Sequence, residues 1–449
     1  MGLSRARPRT GATRSDDPYL PAHGNGGYRV EHYELDVDYK PAANRLTGRA
    51  VLTAVADAPL SRFSLDLAGF RVPKVLVDGR PARFTRSSST RGGHKLHVTP
   101  ARPVEGRFDV EVRYTGNPAP IPSRWGDVGW DELTDGALVA SQPVGAPSWF
   151  PCNDHPSDKA SYRITVTTAA AYTVAATGVL TARRRSAGTR TWVFDRREPT
   201  STYLVSVQIG RYDEVVLGTD PVPQVAHVPA RLRRTAARDL GRHQEIMAAL
   251  RGFFGPYPFA DYQLVVTDDE LEDPIEAQGM SIFGANHLDG RRTHERLVVH
   301  ELAHQWFGNS LTIADWSHIW LNEGFATYAE WLWSEASGGR AAAAHARDWH
   351  ARLAARPADL VLADPGPARM FDERVYKRGA LALHALRVRI GDDRFFALLT
   401  AWTAGHRHST VSTPQFVELA GRHAATDLSA FFDAWLHRRP LPPLGAAGR

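Results

Sequence analysis

The chain of 449 residues is too long for one ordinary core and points to two or three domains. Hydrophobic residues make up 43% and aromatics 10%, and no apolar run approaches the roughly 18 residues of a spanning helix, so no membrane partner is expected. The net charge of +5 is small for this length, and the basic balance comes from arginine beside only five lysines, which argues against a nucleic-acid footprint.

The opening "MGLSRARPRTGATRSDDPYL" is basic and lacks the apolar stretch of a secretory signal. A cytoplasmic protein is therefore expected, with residues 1–17 as a disordered basic tail. From Tyr28 the pattern has period two: Tyr33, Leu35, Val37 and Tyr39 alternate with His32, Glu34, Asp36 and Asp38. That alternation predicts a half-buried antiparallel strand. It returns in Phe108–Tyr114, in Tyr162–Val166, and in Tyr203, Val205, Val207 and Ile209, with turn clusters such as "TGNPAP" and "RSAGTR" between the runs. Residues 18–212 thus read as an all-β sandwich or saddle. The single cysteine, Cys152, excludes an intrachain disulfide and, with no helix start after it, reads as structural.

The character changes after about Gly210. "GTDPVPQVAHVPA" reads as a connection between domains, and "RLRRTAARDLGRHQEIMAALRGFFG" as a helical stretch closed by Gly255 and Pro256. "YQLVVTD" is a short strand, "IEAQGMSIFG" an edge strand, and the chain is mostly helical from Thr293, where Thr293 is placed as an N-cap and Gly308 as a stop. The fold class is therefore α+β and multidomain, with a β domain over 18–212 and a mostly helical domain over 213–449.

Within "VVHELAHQWFGN", His300 and His304 lie four apart and share one helix face. Two imidazoles at that spacing can hold one metal ion, while Glu301, about 100° around the helix, is placed to reach a water instead. Zinc needs a third protein ligand, and Glu323 supplies a candidate near the start of "WLNEGFATYAEWLWSEASGG", with eighteen residues between it and His304 in which the chain can turn back. Glu330, seven residues on, is placed either to accept from a ligand histidine or to sit as an ordinary solvated glutamate. His345 and His350 are five apart, poor spacing for a chelate; His406 and His408 flank an arginine and read as surface, and His318 reads as packing among Trp316 and Trp320.

His300-Glu301-x-x-His304 followed by Glu323 in "WLNEGFA" resembles the gluzincin metallopeptidases, and more narrowly the aminopeptidase N family. "SQPVGAPSWFPCNDHPSDKASY", "VYKRGALALHALR" and "DLSAFFDAWLHRRPLP" extend the resemblance over about residues 18 to 443. It implies a thermolysin-like catalytic domain and one zinc ion per chain held by His300, His304 and Glu323, with Glu301 as general base and Tyr376 as the oxyanion donor. It also implies that Glu276, in "DPIEAQGM", binds the free amine of a peptide substrate, although Asp273, Ile275 and Ala277 depart from the family's Gly-x-Met-Glu-Asn pattern. Gln142 matches a glutamine lining the first substrate pocket; some members carry a second acid two positions on, where this chain has Val144. The chain ends shortly after the catalytic segment, so the large C-terminal helical domain of many members is not expected. Three rivals share these residues: a zinc-containing scaffold without catalysis, an endopeptidase, and a hydrolase of a non-peptide such as an epoxide.

Overall fold

The computed structural model describes residues 7–88 and 93–444. The first half is built from two β-sheets. The larger has eleven strands, with Tyr28–Lys40, Arg45–Asp66 and Val104–Gly116 adjacent and antiparallel at its centre. Tyr33, Leu35, Val37 and Tyr39 point into the core, as their alternation predicts. A five-stranded sheet follows, ordered Thr173–Ala176, Val207–Gly210, Gly136–Ala140, Gly126–Leu133 and Ile121–Ser123. The two sheets enclose one apolar core that contains Trp130, Trp149 and Trp192. Cys152 is buried there, and its backbone pairs with Asp66, in keeping with a structural residue.

The second half opens with another five-stranded sheet and continues in helices. The helices that matter for the site are α1 (Arg233–Asp239), α2 (His243–Phe254), α3 (Glu295–Ala303), α4 (Trp320–Ala336), α5 (Ala342–Ala354) and α6 (Glu373–Ile390). A second large core runs through them. Phe307, just past α3, stacks on Phe325 of α4 at 4.3 Å between ring centroids, which fixes the two helices side by side. α4 and α6 cross where Gly324 meets Gly379: a Cβ on Gly379 would lie 2.7 Å from the Gly324 Cα. That approach is open only to glycine. Glu323 and Tyr376 flank this crossing and are brought together by it. None of the described helices is long and apolar enough to cross a membrane.

Several expectations change. Residues 9–17 are not a disordered tail: Arg9–Thr10 pairs with Arg45–Asp66, and an Asp17 oxygen accepts the Trp316 N–H at 3.0 Å. Residues 1–6 of that expected tail lie outside the described residues. Tyr203 sits in a 3-10 turn, Thr202–Leu204, and only Val207–Gly210 of its run is strand. The Pro-rich "GTDPVPQVAHVPA" is no free connection but the turn and second strand of a hairpin, Tyr212–Gly218 with Gln224–Pro229. Its backbone is needed to begin the third sheet. We therefore propose the domain boundary near residue 212, where that sheet starts. The expected single helix breaks into α1 and α2 around Gly241. Thr293 does not cap α3; its hydroxyl donates to Asp289, and α3 ends at Ala303, before Gly308.

The β half also carries a pH-dependent element. Asp158 is buried, and accepts the Val30 N–H at 3.0 Å and the Asn153 amide. Burial pushes its carboxyl up from 3.8 to about 7. The folded chain then holds a proton that the unfolded chain releases, so this contribution to stability is full below the unfolded value and lost as pH rises through 7. Asp158→Asn should accordingly flatten the fall in melting temperature between pH 4 and pH 7. An identical slope in parent and variant would contradict the assignment.

Candidate active site

α3 presents His300 and His304 on one face, and α4 presents Glu323 opposite them. His300 Nε2 and His304 Nε2 each lie 3.4 Å from Glu323 Oε2. A charge-assisted hydrogen bond would be about 2.7–2.9 Å, so these separations are too long for direct bonding. They match a shared ion instead: bonds of about 2.0–2.1 Å at tetrahedral angles put neighbouring ligand atoms about 3.3–3.4 Å apart.

The other ring nitrogens are engaged, which aims both Nε2 atoms inward. His300 Nδ1 lies 2.9 Å from Glu330 Oε1, and His304 Nδ1 lies 3.0 Å from the Phe307 carbonyl. Both partners are acceptors, so each Nδ1 carries a proton and each Nε2 is the atom left to face a cation. Of the two readings of Glu330, the contact selects the histidine acceptor; Arg296 Nη1 lies 3.4 Å from its other oxygen. Gly308 gives His304 room, since a Cβ there would lie 3.3 Å from His304 Nδ1.

The site is electrostatically tense. Burial opposes charge on both imidazoles, but the facing Glu323 carboxylate pushes His300 up to about 9 and His304 to about 10. Burial works against the charge of Glu323 as well, yet the same imidazoles hold its carboxyl down at about 2. Glu301 is 4% exposed, and its Oε2 has no hydrogen-bond partner among the described residues. Burial raises its pKa, with Glu276 and Glu323 adding to the effect. An orphaned, buried carboxylate oxygen beside a three-ligand cluster is what a base acting on a water requires.

Glu276 lies on the edge strand Ile275–Ala277 of a hairpin whose return strand is Met280–Phe283, so "IEAQGMSIFG" is two strands, not one. Ligand atoms of Glu276, Glu301 and His304 lie within 4.8 Å of one another. Gln142, from the β half, donates its Nε2 hydrogen to Glu276 Oε1 at 2.6 Å. Tyr376 on α6 stands nearly parallel to the His300 ring, 6.2 Å away and tilted by 15°. Burial keeps its hydroxyl protonated, helped by the negative charge of Glu323, Glu276 and Glu301. The structure thus gathers all seven sequence-derived site residues into one cluster. His318 is elsewhere, with Nδ1 3.1 Å from Thr413 Oγ1, and His345 lies 3.1 Å from Ser334 Oγ. Sequence reasoning missed Gln305 and Asn309, both fully buried behind Glu276. Their adjacency to His304 was the one available signal.

A β half that lends a glutamine to a helical half with His-Glu-x-x-His on one helix and a glutamate on the next defines a two-domain gluzincin fold. The chain belongs to peptidase family M1: residues 240–435 match the peptidase family M1 domain and residues 29–204 the peptidase M1 N-terminal domain. A solved M1 zinc metallopeptidase from Deinococcus radiodurans is 34% identical and superposes with a TM-score of 0.85 over 95% of this chain and 98% of that one. A mutant of the Deinococcus enzyme bound to a Tyr-Ser-Ala substrate superposes with a TM-score of 0.87 over 96% and 99% of the two chains, at 33% identity. The leucyl aminopeptidase of Saccharolobus solfataricus is 23% identical over 92% of this chain and 54% of its own length. Aminopeptidase B of Mus musculus is 25% identical over 81% of this chain and 59% of its own length. The chain therefore spans little more than half of these two relatives.

Proposed function

We propose that this chain is a zinc-dependent aminopeptidase that removes the first residue of peptides with a free N-terminus. The observation that carries the reading is the 3.4 Å spacing of Glu323 from both Nε2 atoms, with Glu301 and Glu276 gathered beside His304. The relatives named for aminopeptidase activity and the peptide-bound neighbour support it.

His300, His304 and Glu323 would hold the zinc ion. Bound there, zinc supplies Lewis acidity, which lowers the pKa of water from about 15.7 to about 7. Glu301 takes the proton from the attacking water and passes it to the leaving amine, a role typically contributing about 10²–10⁴-fold. The Tyr376 hydroxyl donates to the oxyanion as the scissile carbonyl becomes tetrahedral. Glu276 pairs with the substrate ammonium, and Gln142 holds that carboxylate in one orientation. An ammonium fixed there leaves only the first peptide bond within reach of the water, which separates this reading from an endopeptidase.

The test is Glu276→Gln, assayed on amino-acid amides. KM should rise by about tenfold or more while zinc content is unchanged, because a charge-assisted contact of about 1.5–3 kcal/mol is lost. N-acetylated substrates should be poor for the parent and indifferent to the substitution. Equal kinetics in parent and variant, or rapid cleavage of N-acetyl peptides, would refute the assignment.

A further inference from the structure

The hairpin that carries Glu276 has an unusual support. Ile275–Ala277 is the outermost strand of its sheet, and its one ladder partner is Met280–Phe283. A three-residue ladder leaves other backbone groups of the hairpin to be paired by neighbouring elements. Some anchors come from other elements: the Gln278 N–H donates to the Leu204 carbonyl at 3.0 Å, the Gln263 N–H to the Gly279 carbonyl at 2.8 Å, and Gln142 to the Glu276 carboxylate. Those that tie the hairpin to the metal helix come from the chain that has just left that helix. Gln305 Oε1 accepts the Gly279 N–H at 2.8 Å, and Gln305 Nε2 donates to the Ala277 carbonyl at 3.2 Å. Asn309 Nδ2 donates to the same carbonyl at 2.9 Å.

Asn309 is itself immobilised. Its carbonyl accepts from Lys159 Nζ at 3.1 Å and from Thr312 Oγ1 at 3.0 Å, and its N–H donates to the His304 carbonyl at 3.0 Å. Neither Gln305 nor Asn309 has any exposed surface. Buried amides that satisfy the main chain of another element are rigid connectors, because breaking them leaves unpaired groups. Here the connector joins the residue after His304 to the residue after Glu276.

We infer that Gln305 and Asn309 are positioning residues that set the separation between the Glu276 carboxylate and the His300–His304 pair, and so determine which bond from the N-terminus is cut. This rests on the reading of Glu276 as the ammonium partner. The two buried amides act through the Glu276 strand and do not touch substrate. A displacement of about 1 Å in such a spacing can cost about 10²-fold in rate, so a modest loosening is measurable.

The experiment uses the full chain with Asn309→Ala, which removes a single donor, and Gln305→Glu, which keeps the acceptor for Gly279 and removes the donor to Ala277. Zinc content, melting temperature, kcat and KM are measured on an α-amino acid amide and on the matching β-amino acid amide, whose ammonium lies one carbon further from the scissile bond. Both variants should keep one zinc per chain, raise KM for the α-amino amide by about threefold to tenfold, and narrow the α-over-β preference by at least threefold. Gln305→Glu should show the larger effect, since its new oxygen faces the Ala277, Met280 and Glu301 carbonyls in a fully buried position. Loss of zinc, or a fall in kcat/KM that is equal for the two substrates, would overturn the inference and leave the two residues as packing only. Glu276→Gln run in parallel separates the two failures. If it too leaves the α-over-β preference unchanged, the ammonium reading falls; if it shifts that preference and Asn309→Ala does not, only the positioning role falls.

Discussion

Glu301→Gln should retain zinc and lose about 10²–10⁴-fold in kcat, with little change in KM for amino-acid amides. The reason is geometric. Glu301 sits one residue after His300 on α3, about 100° around the helix from the face that His300 and His304 share. Glutamine preserves its shape and the buried packing but cannot accept a proton. The orphaned Oε2 is the atom at stake, since no neighbour among the described residues uses it. Metal analysis beside steady-state kinetics decides the matter. A Glu301→Gln protein with parental turnover would remove the base from the scheme, and one without zinc would make Glu301 a ligand.

The second large effect is expected at Glu323. Glu323→Ala should empty the site, because two imidazoles four residues apart leave an ion with half of a tetrahedral set. The loss of zinc affinity should exceed the about 10–100-fold typical of removing an outer partner of a ligand. Glu330→Gln provides that comparison within the same protein, since Glu330 contacts His300 Nδ1 and lies behind the ligand set. Dialysis against a graded series of zinc buffers, followed by metal analysis, would rank the parent and the two variants. A Glu323→Ala variant holding zinc as firmly as the Glu330→Gln variant would show that the third ligand lies elsewhere.

The parts of the site that could be read from the sequence were those fixed by helical periodicity. His300, Glu301 and His304 share one turn, and Glu323 opens the next long helix, so spacing alone suggested which side chains could meet. Glu276, Tyr376 and Gln142 came from resemblance, and no local pattern reveals that Gln142 donates to Glu276 across 134 residues. The Gly324–Gly379 crossing was equally silent: glycine in a helix reads as a weak spot until the partner helix is known. Strand alternation located the sheets of the β half but failed wherever tertiary contacts overrode it. Tyr203 follows the period yet turns inward as a 3-10 residue. The arm at residues 9–17 looked unstructured because its anchors, a strand partner and the Trp316 amide, lie far away in the chain.

The central claim is that two imidazoles and one carboxylate from neighbouring helices share a single cation and leave it an open side. Diffraction from zinc-loaded crystals at the zinc absorption edge tests this most directly. One anomalous peak should lie about 2.0–2.2 Å from His300 Nε2, His304 Nε2 and a Glu323 oxygen, with solvent at the remaining position beside Glu301. A peak that excludes Glu323, or a protein atom filling the fourth position, would contradict the account.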